Sequence, residues 1–527
     1  MSTQTLPAED KRATEVISYD PGTGEEIGRA RLSSSEDVNE AVKAARRAQP
    51  AWASLTFKER GRVILEARKL MLAERDEVGL LISQETGKPV AEALSMEIVP
   101  TLDSMYYFAH AAASLLRPQK LDIGQYGLMG RSSSIAFRPL GVIGIISPWN
   151  FPLATPADEV VMALMAGNAV ILKPSELTPL IALKLGDIFS RAGLPEGLLN
   201  IVTGDGSTGA AVVDARVDKI MFTGSVATGK RIAAAAAKYL TPVVLELGGK
   251  DPMIVLEDAD LDNAARGAVW GAFANSGQAC ASVERCYVQE SIAPKFIEQV
   301  VAETRALKQG LGIESGIDVG AMSNERQLQI VVDHVDDARQ RGAKILTGGK
   351  RGANLDGLFY EPTVLTNVNH DMAIMRDETF GPVLPIMTFK IDDEAIKLAN
   401  DSIYGLTASV WTKNIAKGRR LAERIEAGTV MVNEVVYTHG IAQTPWGGVK
   451  DSGYGRTHGR LGLLELVYPQ HVHVNRLSFL PDLWWFRYTP RAAKLFGGLA
   501  SHFTSGSILK TSLLLPQMIR RLFGSRE

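Results

Sequence analysis

The chain has 527 residues, too many for one ordinary hydrophobic core, so two or three domains are expected. Hydrophobic residues make up 46%, charged residues 22%, and the formal net charge is −2, a globular composition with no general pull toward nucleic acid or acidic surfaces. Only Cys280 and Cys286 are present, which excludes a disulfide framework, and a reducing compartment suits a working thiol.

In chain order, residues 1–16 are polar and charged without an apolar centre, so no secretory signal is read there. Tyr19-Asp-Pro-Gly-Thr-Gly-Glu-Glu-Ile27 reads as a hairpin, with turn residues between short apolar stretches. Ser33-Ser-Ser-Glu36 is an N-cap signal for the helix that follows, and a second helix runs through 59–72. Glu85-Thr-Gly87-Lys-Pro89 reads as a helix stop, with Gly87 for a left-handed cap. Helical patterning resumes over 90–116, and the alternating stretch 121–139 reads as a hairpin. There is no internal repeat or low-complexity linker. The eight histidines show no metal-site spacing; His471 and His473 share a strand face, an arrangement more often structural than ligating.

From Val142 the texture changes. Short apolar runs at 142–146, 169–172, 199–202, 219–222 and 243–245 alternate with helical stretches. That βαβ rhythm predicts a doubly wound parallel sheet, which binds ligands at the carboxyl ends of its strands. Pro148-Trp149-Asn150-Phe151-Pro152 places a side-chain amide after the first run, and Lys173-Pro-Ser-Glu176 places a lysine and a carboxylate after the second. Gly204-Asp-Gly206-Ser-Thr-Gly209 fits the G-x-G-x-x-G pattern, without a clear acidic partner further on. Phe222-Thr-Gly224-Ser225 also joins a strand to a helix, where the Ser225 hydroxyl and free N–H groups could meet phosphate. Leu245-Glu246-Leu-Gly248-Gly249-Lys250 supplies a carboxylate after the last run. Phe273-Ala-Asn275-Ser-Gly277-Gln278-Ala-Cys280 then presents a lone thiol. An isolated cysteine is usually a buried structural residue, and the accompanying carboxylate and amide reverse that reading here.

These three stretches, in this order and spacing, resemble the aldehyde dehydrogenase superfamily, and the resemblance extends over roughly residues 19–475. It implies an α/β fold: a Rossmann-like NAD-binding domain (1–122 and 141–249), an α/β catalytic domain (250–450) and a small β oligomerisation element (123–140 and 466–476). It implies that Ser225, with Phe222 and Gly224, takes the cofactor pyrophosphate, that the loop with Gly204 and Gly209 lies at the adenine end, and that Lys173 and Glu176 bind the adenosine ribose. Glu176 would repel a 2′-phosphate, which favours NAD over NADP, although a swung-out glutamate tolerates the phosphate. Trp149 is assigned to the cofactor. Glu378 of Asp377-Glu378-Thr-Phe380-Gly381-Pro382 matches the family's nicotinamide-ribose ligand, and Phe380 its neighbouring ring. The chain is expected to act as a homodimer or homotetramer in the cytoplasm, with no metal and no nucleic-acid partner.

The groups present suit oxidation of an aldehyde to the acid. Cys280 attacks the carbonyl, the Asn150 amide and the Cys280 N–H stabilise the oxyanion, hydride passes to the nicotinamide, and Glu246 activates water against the thioester. Glu246 also favours hydrolysis over transfer to coenzyme A. Phe151, Thr155, Asp158, Ala279, Ala281 and Trp446 are read around the substrate channel. The alanines leave room, and Asp158 would repel a carboxylate-bearing aldehyde, so neutral or apolar aldehydes are favoured, with medium- or long-chain ones in view. Succinate semialdehyde is the alternative substrate. Two other classes, a non-catalytic relative and an esterase-like thiol hydrolase, are disfavoured because Cys280, Glu246 and Asn150 are all kept beside the nicotinamide set.

The segment 477–527 departs from the common pattern. It carries seven basic residues against Asp482 and Glu527, among Trp484, Trp485, Phe486, Tyr488, Phe496, Phe503 and Phe523. Prolines and glycines break its apolar stretches below the ~18 residues that span a bilayer. Two readings stand: an amphipathic tail making peripheral contact with a membrane, or a tail packed on its own oligomer or over the channel mouth.

Overall fold

The computed structural model describes residues 14–352 and 355–523. Residues 1–13, most of the stretch read as lacking a secretory signal, and Arg526 and Glu527 of the tail lie outside the described residues. The chain forms two compact units, one from the chain up to Leu115 together with Pro139–Val467, the other from Leu116–Arg138 together with the chain from Tyr468 onward.

In the first unit, Val142–Ile146 and Ala169–Lys173 are buried along their whole length. Strands covered on both faces have no polar side to show, which is why they read as continuous apolar runs. They belong to a six-stranded sheet in the order Gly453–Tyr454, Val243–Glu246, Lys219–Thr223, Val142–Ile146, Ala169–Lys173, Leu199–Ile201. All neighbours are parallel except the Gly453–Tyr454 edge. Strand order reverses between Val142–Ile146 and Lys219–Thr223, and Ile146 pairs with both Phe222 and Lys173. The loops after three strands therefore open at one level, at the switch point where such sheets bind ligands.

Between Glu246 and Asp251 the chain passes into a seven-stranded sheet, ordered Lys344–Thr347, Thr363–Thr366, Val383–Phe389, Val283–Gln289, Asp251–Val255, Thr407–Trp411, Thr429–Val432. Only Lys344–Thr347 is antiparallel. Side chains alternate between its two cores: Met253, Val255, Cys286 and Val288 enter one, Ile254 and Tyr287 the other. Each fully buried aliphatic side chain there contributes about 1.5–3 kcal/mol.

Local signals are answered by local structure. Ser34 caps the helix Ser35–Ser54 in a capping box with Asp37, and Gly87 ends the helix Arg75–Thr86 in the left-handed region at φ 82°. The helical stretch read over 90–116 contains a wider turn at Ala93–Ile98 before Val99–Leu115.

The second unit holds a three-stranded sheet in the order Val467–Asn475, Arg131–Pro139, Gln119–Leu121, so the hairpin read at 121–139 pairs with the late strand of the chain. A short helix, Gln125–Leu128, forms its tip. The tail is helical, at Pro490–His502, Ile508–Ser512 and Leu515–Phe523, around a small core of Leu483, Leu495, Leu499 and Leu514. Among the described residues no helix is long and apolar enough to cross a membrane.

Cys286 is wholly buried among apolar side chains, whereas Cys280 is partly exposed. Alkylation of the native protein should therefore consume one thiol, with the second reacting only in denaturant; mass spectrometry of the labelled peptides reads this directly.

Candidate active site

A cleft of about 1100 Å3 opens at the carboxyl ends of the first sheet and reaches Cys280. The approach to the thiol is held in an unusual backbone. After the helix Leu261–Phe273, Asn275, Ser276 and Gly277 have φ of 54°, 55° and 70°. A non-glycine residue there costs roughly 1–3 kcal/mol, so the surroundings must impose it. Both Glu92 carboxylate oxygens accept from the Asn275 N–H at 3.0 Å, and the Ser276 hydroxyl donates to the Gly320 carbonyl at 3.0 Å. The Gln278 amide accepts from Ser323 N–H at 2.9 Å. A Cβ on Gly277 would collide with the Gly381 carbonyl, and one on Gly249 with the Cys280 carbonyl. Glycine at both places lets three backbones close around Cys280.

Asn150 is fixed by a second set of contacts. Its Nδ2 donates to the Gln278 carbonyl at 2.9 Å, which leaves one amide hydrogen for a substrate oxygen. Its own carbonyl accepts from Lys88 Nζ at 2.7 Å and Asn275 Nδ2 at 3.0 Å. Lys88 pairs with Glu97 at 2.5 Å, and both side chains are fully buried. Glu97 also accepts from the Leu153 and Ala154 N–H groups at 2.8 and 3.2 Å, at the start of the helix Ala154–Ala166, where a negative charge is favoured.

Acidic groups surround the thiol. Burial, then the charges of Asp251, Glu378 and Glu246, hold the Cys280 thiol well above its ordinary range, so it rests protonated. Burial, then Glu159, holds Glu246 well up as well, with Arg456 opposing. Neither carboxyl has a hydrogen-bond partner on either oxygen, and both line the cleft. Glu159 is pushed up to about 8 by burial and by Asp158. Beside them His439 lies 4.8 Å from the Trp446 ring, 5.2 Å from His458 and 6.1 Å from Phe151. Burial and then His458 lower His439 to about 4, leaving it neutral near pH 7.

Toward the far end, Ser225 caps the helix Val226–Ala237 and Lys173 lies 3.4 Å from Glu176. Burial lowers the Lys173 ammonium, with Glu176 opposing. Buried Thr223 Oγ1 and Ser147 Oγ, both in the cleft wall, have no hydrogen-bond partner. Gly206 and Gly209 face open space where a Cβ would stand. Open glycines, orphaned hydroxyls and a helix N-terminus fit an extended phosphate-bearing ligand. Glu378 accepts from Gly249 N–H at 3.1 Å and is raised to about 8 by burial and by Glu284. Glu284 also pairs with Lys250 at 2.6 Å and accepts from the Thr379 and Phe380 N–H groups at 2.8 Å each. The Phe380 ring meets Trp149 edge-on at 5.5 Å.

The cleft brings together Cys280, Glu246 and Asn150, the cofactor candidates Trp149, Lys173, Glu176, Gly209, Phe222, Gly224, Ser225, Glu378 and Phe380, and the channel candidates Phe151, Thr155 and Trp446. Gly204, Asp158, Ala279 and Ala281 are not in its wall. Asp158 is turned to His458 at 2.8 Å, both nearly fully buried, so the carboxyl that faces the cleft is its neighbour Glu159. Ala279 and Ala281 are each 4% exposed and pack beneath the thiol segment. Sequence reading passed over Lys88, Glu92, Glu97, Glu159, Glu284 and His439. Lys88 was visible only as part of a helix stop, and isolated acids inside helices carry no local mark of burial.

A family model for the aldehyde dehydrogenase family matches residues 8–472. The 4,4'-diapolycopene aldehyde oxidase of a Methylomonas species is 41% identical over 485 residues, covering 92% of this chain and 90% of that one. A mitochondrial succinate-semialdehyde dehydrogenase of Oryza sativa subsp. japonica is 38% identical, covering 90% and 88%. The crystal structure of a betaine aldehyde dehydrogenase variant of Staphylococcus aureus with NAD+ superposes with a TM-score of 0.85 at 34% identity, covering 91% of this chain and 98% of that one. The chain belongs to the aldehyde dehydrogenase family. Its activity is that of an oxidoreductase that oxidises aldehydes.

Two measurements probe this geometry. Lys88→Met leaves Glu97 buried without its cation and should cost about 3–5 kcal/mol in denaturant unfolding. Glu159 binds its proton more tightly folded (about 8) than at the ordinary 4.5, so its stabilising contribution is full below 4.5 and lost as pH rises toward 8. Glu159→Gln should therefore flatten the fall in melting temperature across that window. It should also lower the pH at which Glu246 ionises, because Glu246 loses an acidic neighbour.

Proposed function

We propose that the chain oxidises a neutral or apolar aldehyde to its carboxylic acid by a covalent, hydrolytic route, with NAD taken in preference to NADP. The observation that carries this reading is the convergence of Cys280, Asn150 and Glu246 on one cleft whose far end fits a dinucleotide. Having lost its proton to solvent, Cys280 Sγ bonds to the aldehyde carbon as the carbonyl π bond breaks, and the oxygen accepts from the free Asn150 N–H and the Cys280 N–H as its charge develops. Loss of one such donor typically costs about 10²–10³ in rate. When bound, the nicotinamide supplies the hydride acceptor that converts the thiohemiacetal to a thioester. Glu246 then takes a proton from water, whose oxygen attacks the thioester and frees the Cys280 thiol. Because both groups rest protonated, turnover rises with pH.

Lys173 and Glu176 would hold the adenosine ribose, Ser225, with Phe222 and Gly224, the pyrophosphate, and Glu378 the nicotinamide ribose, with Phe380 and Trp149 beside the ring and Gly204 and Gly209 toward the adenine. Thr155, Phe151 and Trp446 line the substrate end; Ala279 and Ala281 leave space by packing behind Cys280. His439 is neutral and His458 is paired with Asp158, so neither offers a free cation to a carboxylate. That favours an uncharged substrate. The relative named for 4,4'-diapolycopene aldehyde lends support to this class, and the one named for succinate semialdehyde supports the alternative. The division into 1–122 with 141–249, 250–450, 123–140 with 466–476, and a tail at 477–527, a homodimer or homotetramer, a cytoplasmic location and a peripheral membrane contact of the tail belong to the same proposal.

Steady-state NADH formation across an aldehyde series tests it. Specificity should rise from short to long alkanals and exceed that for succinate semialdehyde; the reverse order overturns the substrate class. Cys280→Ala should abolish the reaction. Glu246→Gln should keep a burst of one NADH per site while slowing the following steady state by about 10²–10⁴-fold.

A further inference from the structure

The second unit buries one face of its helices and leaves another bare. Met518 and Leu522 pack on the core of Leu495, Leu499 and Leu514. Leu515, Ile519 and Phe523, each one turn from the next, are 53%, 48% and 65% exposed. Just before them Leu509 and Leu513, also one turn apart, are 80% and 68% exposed. Apolar side chains scattered singly over a surface need no explanation, but a stripe repeated over consecutive turns marks a docking surface.

Charge selects the occupant. Lys510 and Arg520 lie exposed within this stripe. Arg521 is spent on the carbonyls of Leu483 and Arg487, at 3.2 and 2.8 Å, and on that of Trp485. Asp482 is the only acid among the described residues of 477–523, and it is paired with Arg131. A second copy docking the same face would set these cations against their own images with no acid to answer them. An anionic lipid surface answers both features, its acyl boundary taking the apolar stripe and its headgroups the cations. With no helix among the described residues able to span, the segment would lie on the bilayer.

We propose that the outer face of residues 508–523 docks this protein on anionic bilayers, with Leu513, Leu515, Ile519 and Phe523 entering the acyl boundary and Lys510 and Arg520 meeting the headgroups. This rests on the membrane reading of the tail and not on the substrate class. The test is cosedimentation of the full chain with vesicles of phosphatidylcholine alone and of phosphatidylcholine with phosphatidylserine. Binding should require phosphatidylserine and weaken with salt. It should fall roughly thirtyfold in Lys510→Ala/Arg520→Ala and vanish in Ile519→Asp/Phe523→Asp. NADH formation from benzaldehyde should be unchanged in both double variants, which separates lost docking from misfolding and from failure of the aldehyde reading. Equal binding to both vesicles, or to neither, overturns the proposal. So does an oligomer, seen by sedimentation velocity, that Ile519→Asp/Phe523→Asp dissociates while vesicles remain unbound, since the face would then belong to a second copy.

Discussion

The site depends on a buried ion pair. Lys88 and Glu97 lie fully inside the protein, and each makes further bonds that an exposed pair would leave to water. Lys88 holds the Asn150 carbonyl, and Glu97 holds the first N–H groups around the helix that follows. Asn150 and Asn275 in turn both donate to the Gln278 carbonyl. Segments far apart in sequence, around residues 88–97, 150–154 and 275–280, are thereby locked into one mesh. A buried pair is weak evidence for net stability, since desolvation cancels much of its attraction. Its value here lies in geometry: the Asn150 segment and the loop that carries the thiol share hydrogen bonds, so neither moves alone.

Around that mesh the electrostatics favour restraint. Glu378, Glu246 and Glu159 line the cleft, Asp251 is buried near the thiol, and each is pushed above its ordinary value mainly by burial. Carboxyls gathered this closely favour sharing protons over carrying several charges. A thiol among them stays protonated and is spared the oxidation to which exposed thiolates are prone. The same crowding leaves Glu246 a stronger base once ionised, which suits the removal of a proton from water.

The second unit follows a different logic. Its core is small, four buried leucines with a fringe of partly buried neighbours, and its helices expose apolar side chains that the large unit would have buried. Arg521 satisfies three carbonyls that a larger hydrogen-bonded scaffold would have paired internally. Such a unit is held by a small core and leaves apolar side chains exposed.

The parallel sheet was legible in the runs beginning at Val142 and ending at Leu245, because strands buried on both faces must be apolar throughout. The thiol and the carboxylate were legible for a similar reason: each sits in a short motif whose glycine, Gly277 or Gly249, is demanded by close backbone approach, while the amide stood out in the motif that follows the first apolar run. The direction of Asp158 was not legible. It and Glu159 are adjacent on one helix, and only packing decides which turns to His458 and which to the cleft. Lys88, Glu97 and Glu284 were equally silent. A charge has the same sequence signature, in a helix, a strand or the loop that ends a helix, whether it meets water or a buried partner. The sequence by itself determined the succession of strands along the chain, the chemistry at their ends and the excess of positive charge in the tail. The tertiary structure decided which carboxyls are buried together and which apolar face of the tail stays bare. Both depend on partners brought from distant parts of the chain, and local pattern carries no record of them.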